Sequence, residues 1–204
     1  MNDLYRALGD INSIRRQVAN TTEFRGYGPA TLATTAAFAI VAGTVQQLCL
    51  PDAGKHIFVY LTIWISTALL SAVLTSVQMH TRARRMHSGL SDEMIRMAVE
   101  QFLPSIVAGL LVTAVLLGSA PQTAWVLPGV WQIIYSLGIF SSCRFLPRAI
   151  FTAGGWYLIT GLACIAIGDF RAFSPAAMAV PFAVGQLFIA GVLLFSENEA
   201  RNER

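Results

Sequence analysis

The chain has 204 residues, of which 55% are hydrophobic and only 12% charged, with a mean hydropathy of +0.59. Soluble domains carry about 25% charged residues, so this composition excludes a soluble binding module and indicates a chain whose solvent is lipid. The net charge of +3 does not imply nucleic acid, because the basic residues are scattered over several connections without interleaved aromatics.

In chain order, residues 3–19 read as an amphipathic helix. Leu4, Leu8, Ile11, Ile14 and Val18 recur at helical spacing, with Asp3, Arg6, Asp10, Arg15 and Arg16 on the other face. The segment is too short and polar to span. It fits either the membrane interface, with its arginines among lipid phosphates, or the cytoplasmic ends of a bundle. No apolar run resembling a signal peptide precedes it, so the first span is expected to be an uncleaved anchor. The glycines and proline of TTEFRGYGP then turn the chain into the bilayer.

Apolar stretches long enough to cross roughly 30 Å of hydrocarbon are expected at 29–50, 57–79, 99–118, 125–143, 149–168 and 175–195. Segment 1–28 precedes them and a polar tail, 196–204, follows. Pro104 is expected to kink the third span. The HTRARRMH stretch should continue span two as helix, with Ser91 capping the next helix. The fold expected is all-α: a polytopic membrane protein with six transmembrane helices and an interfacial helix in front.

Orientation follows from the basic residues. Arg6, Arg15, Arg16, Arg25, Arg82, Arg84, Arg85, Arg96, Arg144, Arg148, Arg201 and Arg204 fall on one side; Lys55 and Arg171 fall on the other. By the positive-inside bias both termini are cytoplasmic. Tyr60, Trp125, Phe170 and Phe173 lie near the opposite boundary, as an aromatic belt would.

Candidates for chemistry are few. Within the spans the one ionisable Asp, Glu, Lys, Arg or His is Glu100, a turn from the cytoplasmic surface and one turn after Arg96. Charge at the bilayer centre usually marks proton relays and ion paths, so its scarcity weighs against a pump or a proton-coupled carrier. The neutral polar groups are Gln46, Gln47, Gln132, Tyr135 and Gln186. Gln132 and Gln186, expected at similar depth, can bond to each other, act as packing glue, or line a small polar cavity with Tyr135 and Glu100. His80 and His87 share a helix face but sit among Arg82, Arg84 and Arg85, whose charge disfavours a metal. Cys49, Cys143 and Cys164 form no C-x-x-C pair and are expected to behave as small buried hydrophobes. No cofactor and no metal are expected. Gly154, Gly161 and Gly168 form a small-residue stripe, for packing inside the monomer or for a dimer contact. Phe102-Leu103-Pro104 recurs as Phe145-Leu146-Pro147, a hint of duplication that the spacing of Gln132 and Gln186 does not follow.

INSIRRQVANTTEF before a Gly/Pro-marked first span, and LPGVWQIIYSLGIF in the fourth, resemble a family of six-span bacterial integral membrane proteins. Val18 stands where that pattern has Met, and Ser136 where it has Gly. The resemblance implies topology and a bacterial inner membrane, and it implies no activity.

Three functions remain in view. The first is a non-enzymatic protein acting by association, as accessory subunit, assembly factor or membrane-state sensor. Its surface would be Arg82, Arg84, Arg85, Arg144, Arg148, Arg15 and Arg16, facing anionic headgroups, a protein partner or a second copy. The second is a small transporter or channel for a neutral or lipophilic solute. The third is a lipid-modifying enzyme, for which only Glu100, His80 and His87 offer groups, at no spacing that matches a mechanism.

Overall fold

The computed structural model describes residues 28–86, 89–142 and 149–202. It is an all-helical polytopic fold: six helices are long and apolar enough to cross a membrane. They are α1 (Pro29–Cys49), α2 (Ile57–Met86), α3 (Gly89–Ser119), α4 (Leu127–Ser142), α5 (Ile150–Ile167) and α6 (Pro175–Asn202). Short 3₁₀ turns, Pro121–Val126 and Phe170–Phe173, lead into α4 and α6. The connections α1–α2, α3–α4 and α5–α6 lie at one end of the bundle, the Lys55 end. The α2–α3 connection lies at the other, the Arg82 end.

Proline sets several helix starts. Pro29 and Pro175 open α1 and α6, where the absent N–H has no intrahelical acceptor to lose. Pro104 and Pro181 sit inside α3 and α6, both continuous as helices. Helix α3 begins at Gly89, so Ser91, expected as its cap, lies inside the helix. At the far end of α5, Gly168 (φ +63°) and Asp169 (φ +73°) both take positive φ, which glycine and, less readily, aspartate tolerate.

The helices are unequally embedded. Helices α1 and α6 pack along each other, as do α4 and α5, while α3 leans on α4 and α2 on α1. The apolar span of α3 is only 6% buried and that of α2 17%, against 44% for α4 and α6. Leu69, Leu70 and Val73 of α2 and Leu110, Leu111 and Val115 of α3 face outward, as lipid-facing residues do. The hydroxyls of Thr62, Thr67 and Thr75 bond back to carbonyls one turn earlier, which makes them tolerable beside lipid.

Two apolar clusters hold the bundle. One, towards the Lys55 end, gathers Leu50, Tyr60, Leu61, Trp64, Leu127, Phe173 and Met178. The other, towards the Arg82 end, gathers Leu32, Ile139, Ile150, Tyr157, Ile189 and Leu193. This corrects the aromatic belt. Tyr60 is 0% exposed, stacked on Trp131 and edge-on to Phe173 at 4.9 Å, because it shares an inward helix face with Trp64 one turn on. Cys49 departs from expectation too, being exposed, while Cys164 is buried.

The glycine stripe resolves into two roles. A Cβ on Gly161 would stand 2.7 Å from the Gly129 carbonyl oxygen, and one on Gly129 would stand 2.6 Å from that of Gly161. A Cβ on Gly154 would meet the Phe140 ring. Both stripe glycines therefore bring α5 onto α4 within the monomer. Gly168 has open space around it and instead terminates the helix.

Gly129→Ala and Gly161→Ala should each lower stability by about 1–3 kcal/mol, because backbone rather than a movable side chain occupies the space. Gly155→Ala and Gly109→Ala, with nothing within 4 Å, should stay within about 0.5 kcal/mol of wild type. Reversible unfolding in mixed micelles measures all four, and equal costs for the two pairs would contradict the close crossing.

Candidate functional site

The polar groups predicted inside the bilayer are brought partly together. Gln132 is 0% exposed, and its Nε2 donates to the carbonyl oxygen of Ala177 at 2.9 Å and to that of Pro128 at 3.2 Å. The Ala177 bond has a specific origin. In an unbroken helix that carbonyl accepts from the N–H of residue 181, but residue 181 is proline and has none. Lipid offers no donor, so an amide from α4 supplies it.

Gln186 takes a different partner. Its Nε2 donates to the Tyr135 hydroxyl at 2.8 Å, joining α6 to α4. No bond joins Gln132 to Gln186, and they do not share a depth on α6. Gln132 meets that helix at Ala177, about two and a half turns before Gln186. The expectation of a shared depth and a mutual bond is not met. Glu100 is exposed, unlike this buried set. Two residues later, Phe102 does reach it, edge-on to Tyr135 at 5.5 Å.

Around Tyr135 the structure adds residues not singled out in the sequence. Tyr157 of α5 packs edge-on at 4.8 Å, and Phe182 of α6 lies 5.4 Å away. Tyr157 comes this close to α6 because residue 185 is glycine; a Cβ there would strike its phenol. Three buried polar atoms have no hydrogen-bond partner here: Gln132 Oε1, Gln186 Oε1 and the Tyr157 hydroxyl. Such atoms in a dry interior are costly. Trp156 Nε1 donates to the Pro181 carbonyl at 3.0 Å, so side chains from α4 and α5 both grip α6 beside its proline.

Four further bonds do the same work elsewhere. Gln46, 1% exposed, uses both amide atoms: Nε2 donates to the Phe173 carbonyl at 2.6 Å, and Oε1 accepts from Trp64 Nε1 at 2.8 Å. Trp131 Nε1 donates to the Thr113 hydroxyl at 2.9 Å, fixing α3 to α4. Ser136 Oγ donates to the Gly154 carbonyl at 2.8 Å, so the serine standing where the resembled pattern has glycine binds α4 to α5. Buried glutamine within a span was a readable signal for this network. The tryptophan partners, met only through the fold, carried none.

The predicted arginine surface falls largely beyond description. Arg15, Arg16, Arg144 and Arg148, and the amphipathic helix over 3–19, lie outside the described residues. Arg82, Arg84 and Arg85 lie on the last turn and a half of α2, their side chains outside that description. The second Phe-Leu-Pro, at 145–147, is outside it as well, and so is Cys143. Comparison of the chain with protein-family models, curated proteins and solved structures finds no match.

Gln132→Leu should lower stability by on the order of 1 kcal/mol, the scale of an interhelical bond in a membrane raised by the stranded carbonyl. In a Pro181→Ala background residue 181 regains its N–H for Ala177, and the same substitution should cost clearly less. A double-mutant cycle on unfolding free energies reads the coupling; zero coupling would remove the assignment. Tyr157→Phe, which deletes an unpaired hydroxyl, should leave stability unchanged or slightly higher.

Proposed function

We propose that the chain is a bacterial inner-membrane protein with cytoplasmic termini that acts by association rather than catalysis, as an accessory subunit, assembly factor or membrane-state sensor. The α2–α3 hairpin carries this reading. Its spans are the least embedded in the bundle, and α2 continues as helix past the apolar window that ends at Thr81 to Met86. That extension holds Arg82, Arg84 and Arg85 on a helix whose apolar window is only 17% buried. A basic helix end of this kind suits anionic headgroups or an acidic protein surface. The polar groups inside the bundle support the same reading, since Gln46, Gln132, Trp131, Ser136 and Trp156 are engaged in helix-to-helix bonds.

A second reading, a small transporter or channel for a neutral or lipophilic solute, is favoured by one observation. Gln186 Oε1 and the Tyr157 hydroxyl are an unpaired acceptor and a potential donor buried near one another mid-bundle. Flux of an uncharged solute into proteoliposomes, lost in a Gln132→Leu, Gln186→Leu double variant, would establish it.

For the association reading, the full chain is purified in mild detergent with whatever co-purifies. Arg82→Glu, Arg84→Glu and Arg85→Glu together should remove a specific partner or bound anionic lipid while oligomeric mass and helicity stay as in wild type. Undiminished recovery of the same partner by the triple variant rules this surface out.

A further inference from the structure

At the Lys55 end the three connections carry four charges that the sequence holds far apart, Asp52 and Lys55 in one and Asp169 and Arg171 in another. The fold gathers them at a single open groove of about 350 Å³. Asp52, Asp169 and Arg171 line it, with Gln47 and Ser174 and an apolar floor that includes Leu50 and Phe173. Lys55 is tied to its rim by a 2.6 Å ion pair with Asp52. The floor is braced from beneath, because the Phe173 carbonyl is held by the Gln46 amide, itself held by Trp64. Both loops are thereby placed before any ligand arrives.

Two features of this groove specify a ligand class. First, its charges balance: two carboxylates and two cations, so neither a simple anion nor a simple cation is complemented. The Asp52–Lys55 and Asp169–Arg171 pairs, the second at 3.7 Å, are more than half exposed, and pairs of that kind contribute little and exchange readily. Mutual hydrogen bonding holds the Asp52 carboxyl below its ordinary range and Lys55 above its own, so both stay ionised through neutral pH. Second, the groove opens beside lipid-facing surface. Leu48, 77% exposed, adjoins Gln47 at the end of α1, and Ile40, 52% exposed, lies about two turns below Gln47 on the same helix face. A molecule seated in the groove can run an apolar chain down that face.

We propose that the groove binds the ammonium–phosphate zwitterion of an ethanolamine phospholipid in the leaflet at the Lys55 end. Arg171 and Lys55 take the phosphate, a good match for the guanidinium fork, and Asp52 and Asp169 take the primary ammonium. An acyl chain lies along the exposed face of α1 below Gln47, past Ile40. A choline headgroup has no N–H to donate to the carboxylates, and a glycerol headgroup has no cation. The site therefore distinguishes the three by chemistry rather than by size.

The test measures lipids retained by the full chain after extraction from nanodiscs holding equal parts of ethanolamine, choline and glycerol phospholipid, read by native mass spectrometry. Wild type should retain the ethanolamine lipid at least fivefold over the choline lipid. Asp52→Asn with Asp169→Asn should abolish that preference, and Arg171→Gln should lower retention of every phospholipid. All these positions are exposed, so helicity and melting temperature should match wild type. Equal retention of the three lipids by wild type overturns the proposal, as does an unchanged preference in the double carboxylate variant. Soluble phosphoethanolamine displacing the lipid at micromolar concentration would also overturn it, by making a free solute the ligand. The substitutions leave the Arg82 end untouched, so failure here is separate from failure of the association reading.

Discussion

The bond from Gln132 to the Ala177 carbonyl shows the constraint under which the rest of this bundle is built. A proline inside a span removes one donor from the helix ladder, and hydrocarbon cannot replace it. Helix α6 keeps Pro181 because α4 brings an amide to the stranded Ala177 oxygen, and α5 adds an indole bond to the carbonyl of Pro181 itself. Once α6 depends on two neighbours for its own backbone, its position among them is set. Tyr157 then closes on Gly185 and Gln186 on Tyr135 below the proline, while Phe173 is taken by Gln46 above it. Pro104 poses a milder version of the problem, since the carbonyl it releases belongs to the exposed Glu100.

Helices can be joined this way only where their axes come close. Gly129 and Gly161 bring α4 and α5 near enough for each to touch the other's carbonyl, and Ser136 adds a bond at the same face. Dispersion between flat surfaces and a few polar bonds replace the hydrophobic drive that water would supply. The α2–α3 pair has little of either, apart from Trp64 on Gln46, the Gly28 N–H on Gln78 Oε1 and Trp131 on Thr113. Those bonds join the outer helices to the inner four.

The six spans are legible in the sequence because an apolar run of about 20 residues has few other fates. The identity of the buried polar residues is legible too: Gln46, Gln132, Tyr135 and Gln186 stand out against their surroundings. Their partners are not. Gln132 meets a backbone oxygen forty-five positions away and Gln46 one 127 away, and nothing local to either residue encodes those distances. A signal for the first did exist, a proline within the sixth span and an amide without an obvious use in the fourth. Tyr60 was misread for a different reason. A tyrosine near a span end fits a lipid belt or a packed core equally well, and only the rotation of α2, fixed by Trp64, selects the core. The convergence of Asp52 with Asp169 and Arg171 was likewise invisible, since it depends on which loops become neighbours.

The reach of the Gln46 amide also bears on how the chain is made. Helices enter the bilayer in order of synthesis, yet the oxygen that Gln46 Nε2 requires belongs to Phe173, in the turn that precedes the last span. Through most of insertion α1 and α2 hold a polar group only half satisfied, by Trp64 alone. The first hairpin is thus kept from settling until the last one arrives. Assembly ends where it began, with α6 drawn back against α1 rather than added to the edge of a finished row.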